Sequence, residues 1–485
     1  MIQDLALTLA SRTDINSLSD LGGATIGIDA SFYLSFLLTS YDEPLLTVLG
    51  GLPLAFRHHI SIHLEFLRQN GITPIFVFNG LDIGRKYTPF KISDETTKSI
   101  SEGWDLYVKG LGQDAVKKFG QSKHAKPEQY NRLLQSILHE KNVDFIVAPY
   151  DSAAQLAYLL KSGPDYIDAV VGSLELLLYD VDKVITSLEF SYDQSQPLDR
   201  INYSQAQFTF VTQQACLEEL GLVSHDQLVD ACILSGSSIL PTLPTLSNGP
   251  MNMSNKIRSV VDMMKRDGQT GLSLCLQLQE DESMKKEDYV DRYRRSRIAV
   301  KHQIVLQSSG KVRPFEAEQI PSDLNELIGQ RLPEELYYYL SVAILGPGPL
   351  NQLTSAQIFE LAPTDGGESD EYRSLIRDKL TPIRSSTLAL LSSPLHRAYQ
   401  FRDVVLRCWF DPSVETTVAV KGVTAPGQAI KNWNVHADSL PSTAEEFTLK
   451  MAVGAARSHG FGAKTLTAKD NAKVGQNSAC TMSPD

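Results

Sequence analysis

Hydrophobic and polar positions alternate from Gly22 to Asp29, where Ala24, Ile26 and Ile28 take turns with Thr25 and Gly27. A period of two predicts a strand. The alternation stops at Asp29, and Ser31-Phe32-Tyr33-Leu34 predicts a helix that starts on the acidic end of that strand and runs to about Leu38. Residues 1–20 read as a short helix and a turn. Pro53–Gln69, PLAFRHHISIHLEFLRQ, is the clearest amphipathic helix, with Phe56, Ile60, Leu64 and Leu67 at helical spacing and Asn70-Gly71 as its stop. Thr73–Phe78 is a buried strand ending at Asn79-Gly80. Leu81 to about Gly120 is polar and mixed in charge, and predicts helices or an irregular arch at the mouth of a sheet. Further strands are expected at Val143–Val147, Tyr166–Val171 and Lys183–Ile185, with a short apolar run at Leu176–Tyr179. Helices are expected at Asn131–Glu140, Ser152–Leu160, Thr209–Leu220 and Asp226–Ser235. Strands separated by helices predict a parallel sheet within an α/β fold.

The pattern changes after Gly236. Residues 237–254 are rich in Pro and Ser, and Asn255–Lys265 is helical. Leu327–Leu345 reads as a helix pair interrupted by Pro333, followed by a turn at Gly346–Pro349. Helical segments are then expected at Ser355–Leu361, Tyr372–Leu380, Thr387–Leu391 and, last, Tyr399–Phe410. The expected organisation is an α/β domain over 1–270, a mainly helical domain over 271–410, a weakly structured stretch over 411–463 and a disordered tail over 464–485.

Charge narrows the function. The chain of 485 residues carries a formal net charge of -12, the wrong sign for a protein that coats itself in nucleic acid. One stretch runs against that balance. Lys285, Lys286, Arg292, Arg294, Arg295, Arg297 and Lys301 lie close together, with Tyr289 and Tyr293 four apart on one helical face. A basic helix with aromatics grips phosphates in one reading. In the other, favoured here, it is a solvated face with its tyrosines on the core side. The five cysteines form no CxxC pair and suit a reducing compartment. No segment is long and apolar enough to span a bilayer, and the N-terminus lacks a leader pattern, so the cytoplasm is expected. His59 and His63 share a helix face, but Ile60 stands where the zinc-protease motif has glutamate. Surface or packing histidines, His58 among them, are the reading preferred.

The candidate chemistry lies at the strand ends, which converge on one edge of a parallel sheet. They carry Asp29, Asn79, Asp151 and the Gly172–Glu175 turn, and a later helix end carries Ser237-Ser238. Two-metal phosphodiester cleavage uses such a convergence of carboxylates. Magnesium takes hard oxygen ligands, and here only Asp29, Asp151 and Glu175 are acidic, while Asn79, Ala153, Ser173 and Ser238 are not. Three carboxylates are a poor basis for two ions. A single weak Mg2+ or Mn2+ on Asp29, Asp151 and Glu175, helped by Asp180 or Asp182, is the alternative. Asp29 also reads simply as a helix cap.

These segments resemble the flap endonuclease and xeroderma group G nuclease family. Ile26–Leu34 resembles its first aspartate strand and helix. FVFNG, Phe76–Gly80, resembles a strand ending "VFDG", with Asn79 at the second aspartate. APYDSAA, Ala148–Ala154, resembles "APxEAEA", with Asp151 at the first glutamate and Ala153 at the second. VGSLELLLY, Val171–Tyr179, resembles "TEDxDxLxF", with Ser173 and Glu175 at its aspartates. LVDACILSGSS, Leu228–Ser238, resembles "xxDxCILxGCD"; Asp230 belongs to the helix and Ser238 stands at the last catalytic aspartate. The glycine-rich helix-two-turn-helix has no counterpart in Ile239–Met253. Arg85 and Lys86 stand near the family's phosphate clamp, without matching its spacing. The resemblance implies a PIN-like, flap-endonuclease-type parallel sheet whose catalytic site is vestigial. Both halves of the chain, including IGQRLPEELYYYLSVAILGPGPL over Ile328–Leu350, also resemble a degenerate branch, the fungal maintenance-of-killer-toxin regulators. That resemblance implies a cytoplasmic scaffold without catalysis or cofactor, acting on mRNA at polysomes and RNA granules. Its implied partner is an ataxin-2-like protein with its poly(A)-binding-protein complex, and its usual form is longer, with a further C-terminal domain. A divergent nuclease and a phosphate-gripping RNA-binding module are the alternatives.

Overall fold

The computed structural model describes residues 3–418 apart from 42, 84–93, 123, 164–165, 193–202, 204–205, 248–254, 267–269, 323, 325–327, 329–330, 361–368 and 394. Arg85 and Lys86, the expected weak stretch from residue 419 and the expected tail lie outside the described residues. Two compact units are formed, one from residues 1–376 and 404–417, the other including Arg377–Asp403.

Among the described residues of the first unit, seven strands form one sheet. They are β1 (Asp14–Ser17), β2 (Thr25–Asp29), β3 (Thr73–Phe78), β4 (Phe145–Val147), β5 (Ala169–Val171), β6 (Lys183–Phe190) and β7 (Ala206–Thr212), in the order β1-β7-β6-β5-β2-β3-β4. The five strands from β6 to β4 are parallel, with Ile28 opposite Phe76 on one side and Val171 on the other. The expectation of a parallel sheet is corrected at one edge. β7 runs antiparallel to both β6 and β1, so the sheet is mixed. Thr209–Leu220, expected as one helix, divides into the end of β7 and a helix from Gln213 to Leu220, because the side chain of Thr212 accepts from Ala215 N and starts the helix there.

Helices cover both faces of the sheet. α1 (Ala30–Ser40) and α2 (Leu54–Gln69) lie on the Ile28–Phe76 side, where Tyr33 packs edge-on against Phe76 at 5.4 Å. On the other face Val77, Val170, Val184 and Val211 share a core with α5 (Ser152–Lys161) and α6 (His225–Ser235). Residues 94–122 form a hairpin of α3 (Asp94–Val108) and α4 (Gly112–Ser122) with a small core of its own around Ile100, Ala115 and Phe119. The main core continues past residue 270. It includes Leu274 of α7 (Gly271–Gln277) and Tyr289, Tyr293 and Val300 of α8 (Tyr289–Lys301).

The part after residue 271 is mainly helical, with α9 (Glu334–Ser341) and α10 (Pro347–Ser355), but it also carries strands. β8 (Ile304–Leu306) and β9 (Val312–Pro314) make a hairpin. β10 (Gln357–Glu360), β11 (Val404–Cys408) and β12 (Asp411–Val418) make a second sheet. Three expectations are corrected here. Gly346–Pro349 is the start of α10 rather than a turn, with Pro347 in the first turn where no amide donor is needed. Ser355–Leu361 contains β10, not a helix. Tyr399–Phe410 ends a short helix, Arg397–Gln400, and then becomes β11, whose Val404, Leu406 and Cys408 are buried at the period of two. In the second unit, Thr381–Ser392 is a helix, and the Gln400 amide closes the following turn by donating to Ser393 O and Leu395 O.

Candidate functional site at the strand ends

The residues singled out at the strand ends come together, and most of them hold the ends of helices. Asp29 closes β2 and caps α1. Its Oδ1 accepts from Ser31 N at 2.9 Å and Phe32 N at 3.2 Å. Asp151 caps α5, accepting from Ala153 N at 2.7 Å, and receives the Tyr179 hydroxyl at 3.4 Å. Ser173 caps the 3-10 turn Leu174–Tyr179 by accepting from Glu175 N. Asn79, at the end of β3, joins two helix starts. Its Nδ2 donates to Ser31 Oγ at 3.0 Å and its Oδ1 accepts from Ser152 N at 2.8 Å. Glu175 accepts from Ser238 N at 3.1 Å and so ties the β5 end to the end of α6. Ala153 is buried in α5.

Electrostatics confirm that the three acids share one place. Burial pushes the Asp29 carboxyl up to about 7, and neighbouring Asp151 adds to the rise. Burial likewise pushes Asp151 up to about 6, with Glu175 adding to it. Backbone donors oppose both shifts without cancelling them. Desolvation and like charge favour the neutral acid, so these two carboxyls are held partly by protons near neutral pH. Gly172 permits the crowding, since a Cβ there would lie 3.2 Å from that of Asp29.

The donor set does not fit a metal. Among the described residues no group of three or more His, Cys, Asp or Glu side chains could hold a metal ion. Asp180, named as a helper, pairs instead with Lys161 at 3.0 Å and accepts from Gln213.

Several polar residues escaped the sequence reading. Gln155, fully buried in α5, donates to Leu306 O at 2.9 Å and accepts from Leu306 N at 2.8 Å, binding β8 like another strand. A lone glutamine inside the apolar run SAAQLAYLL was the available signal. Asp82 and Asn351 exchange two bonds of 2.9 Å, fastening α10 beside the β3 end.

The basic stretch is largely neutralised. Lys285, Arg292, Arg295 and Lys301 pair with Glu280, Glu287, Asp291 and Glu316. Arg297 pairs with Asp226 and, at 2.9 Å, with buried Asp230. Lys286 and Arg294 stay exposed, with no ion pair among the described residues. Tyr289 and Tyr293 face the core, and Tyr293 donates to Asp230 at 2.7 Å while Gly271 N donates to its other oxygen. Asp230 therefore docks α7 and α8 on α6. His59 and His63 are packing residues. His63 is stacked on Phe190 and bonded to Tyr33, and burial depresses its pKa to about 3. His59 bonds to Tyr192 and stacks on Tyr41, and His58 lies exposed beside it.

In sequence the chain resembles proteins of the flap-endonuclease and XPG type. Residues 1–97 match the XPG N-terminal domain and residues 142–238 the XPG I-region. Residues 321–410 match a further family, described as a temperature dependent protein affecting M2 dsRNA replication. The chain is homologous to the fungal MKT1 post-transcriptional regulators. It is 33% identical to MKT1 of Cryptococcus neoformans over 418 residues, covering 81% of this chain and 51% of the relative. It is 29% identical to mkt1 of Schizosaccharomyces pombe over 489 residues, covering 88% and 60%. The chain thus spans about half to three fifths of these relatives. Flap endonuclease 1 of Neurospora crassa is 28% identical over 260 residues, covering 50% of this chain and 61% of that enzyme. Among solved structures, the catalytic core of Rad2 with a DNA substrate aligns with TM-score 0.36 and 14% identity over 68% of this chain and 86% of that one.

Proposed function

We propose that this chain is a non-catalytic scaffold in cytoplasmic post-transcriptional regulation of mRNA, built on a PIN-like sheet that once supported nuclease chemistry. In this reading it acts on translation or mRNA stability together with an ataxin-2-like protein and its poly(A)-binding-protein complex. One observation carries the loss of catalysis. The strand-end side chains are engaged as helix caps and cross-braces, with an amide, a methyl group and two hydroxyls where cleavage by two metal ions needs carboxylates. Homology to the MKT1 regulators supports the role on mRNA.

Cleavage is tested with purified chain on single-stranded RNA and on flap DNA, with Mg2+ or Mn2+, beside Asp29→Ala. The expected result is no cleavage above the variant. Cleavage that disappears in Asp29→Ala overturns the pseudo-enzyme reading. The regulatory part is tested by tethering the chain to a reporter mRNA and measuring its protein yield and half-life. No change in either, with no capture of a purified ataxin-2-like protein, overturns the scaffold reading.

A further inference from the structure

α9 is held rigidly by its inner face. Tyr337 and Leu340 are buried, the Tyr337 hydroxyl lies 3.3 Å from that of Tyr150, and it accepts from Leu332 N at 3.4 Å. The segment that follows is fastened as well. Arg132 donates to Ala343 O, Leu345 N donates to Tyr339 O, and Asn351 is bonded twice to Asp82. These bonds fix α9 and its C-terminal turn onto the strand-end side of the sheet.

The outer face has the opposite character. Tyr338 is 59% exposed, Tyr339 45%, Val342 42% and Ile344 53%. With exposed Glu335, the positions 335, 338, 339 and 342 repeat as i, i+3, i+4 and i+7, so they form one stripe. A helix with apolar residues on both its buried and its solvent side presents the second stripe to something else. Tyrosines are frequent anchors of interfaces, and anchors that are already rigid lose little freedom on binding.

Charge selects the occupant. Glu334, next along the helix, is neutralised by Arg313 at 3.0 Å and Arg331 at 2.9 Å. Arg132, beside the turn, is committed to a backbone carbonyl. Glu335 has no ion-pair partner among the described residues, so the stripe carries one uncompensated negative charge in a chain of net charge -12. A second copy brings the same negative charge and the same carboxylate. A segment with apolar residues on one face and Lys or Arg beside them satisfies both the tyrosines and Glu335.

We propose that the Glu335–Tyr338–Tyr339–Val342–Ile344 stripe is a docking surface for a basic amphipathic peptide segment of a partner protein. This goes beyond the scaffold reading and does not depend on whether the strand ends cut nucleic acid. The probe is a synthetic 18-residue Leu/Lys amphipathic peptide with a fluorescent label, compared with its Leu/Glu counterpart by anisotropy against the full chain. The Leu/Lys peptide is expected to bind at least tenfold more tightly. Tyr338→Ala with Val342→Ala, both at exposed positions, is expected to weaken it tenfold or more while leaving the melting temperature in place. Glu335→Lys is expected to reverse the preference toward the Leu/Glu peptide. Binding unchanged in both variants overturns the proposal. So does a dimer in sedimentation that Tyr338→Ala/Val342→Ala dissolves, because the stripe is then covered by a second copy.

Discussion

Asp29→Asn tests the strand-end site most directly, because the reading of a neutral, metal-free site predicts that this substitution stabilises the protein. Asp29 is 7% exposed, and its carboxyl is raised from the ordinary 3.8 to about 7, chiefly by burial. Between those two values the folded protein binds more protons at this group than the unfolded chain, so stability falls as pH rises through the window. The full cost is present above pH 7. At about 1.4 kcal/mol per pH unit, the rise corresponds to about 4 kcal/mol as an upper value. Asparagine keeps an Oδ1 to accept from Ser31 N and Phe32 N, and Asn caps helices about as well as Asp. Its amide finds Ser152, which already bonds to the carboxylate, as a neighbour. Urea titrations of both proteins from pH 4 to pH 8.5 are expected to coincide at the acid end. They should diverge to a few kcal/mol in favour of the variant at the alkaline end. If Asp29→Asn is instead less stable at pH 8.5, or if Mg2+ or Mn2+ stabilises the wild type and not the variant, a cation holds this carboxylate and the reasoning fails.

Further predictions follow from the same contacts. Asn79→Asp removes the donor to Ser31 Oγ and adds a like charge beside Asp29 and Asp151; a loss of about 2 kcal/mol at pH 8, shrinking toward pH 5, is expected in the same titrations. Asp230→Ala strands Arg297 and Tyr293 and should cost about 3 kcal/mol, read as a lower urea midpoint; no change would mean that α7 and α8 dock without it. His63 is depressed from 6.5 to about 3 by burial, so the unfolded chain binds the extra proton and stability falls as pH drops below 6.5; His63→Gln should flatten the acid limb of the stability curve. At Gly80 a Cβ would stand 1.9 Å from Ala148 O, and Gly80→Ala is expected to lower stability by about 3 kcal/mol or more, seen as a fall in melting temperature.

The central part of the fold was legible because each element there carries its own period and its own punctuation. Pro74–Phe78 is apolar throughout, and its strand lies inside the sheet with partners on both sides, and Leu54–Gln69 buries the positions its spacing marks. The edges were not legible. β1 is only Asp14–Ser17, all four residues exposed, and it becomes a strand because β7 is there to pair with it. β11 was misread because Val404-Val405-Leu406 satisfies a helical spacing as well as a strand spacing. Pairing with β10, Ile358 opposite Leu406, decides between them. Local pattern contains no term for a partner about fifty residues away.

The same division separates the parts of the site. Asp29, Asp151 and Ser173 each precede a helical turn, so their roles as caps follow from neighbouring sequence. Asn79 reaches Ser152 across 73 positions, Glu175 reaches Ser238 across 63 and Gln155 reaches Leu306 across 151. No spacing rule predicts those bonds. They explain a selective pattern of residues that a count of lost ligands leaves unexplained. A buried carboxylate without a cation is stabilised by backbone amides, by a proton or by removal of its neighbours. Asp29 and Asp151 keep their backbone amide donors, and burial raises the pKa of both carboxyls. Positions 79, 153, 173 and 238 are neutral, which limits the repulsion among the three acids that remain. The three acids are thus those with a structural bond to make, two as helix caps and Glu175 as a brace to Ser238.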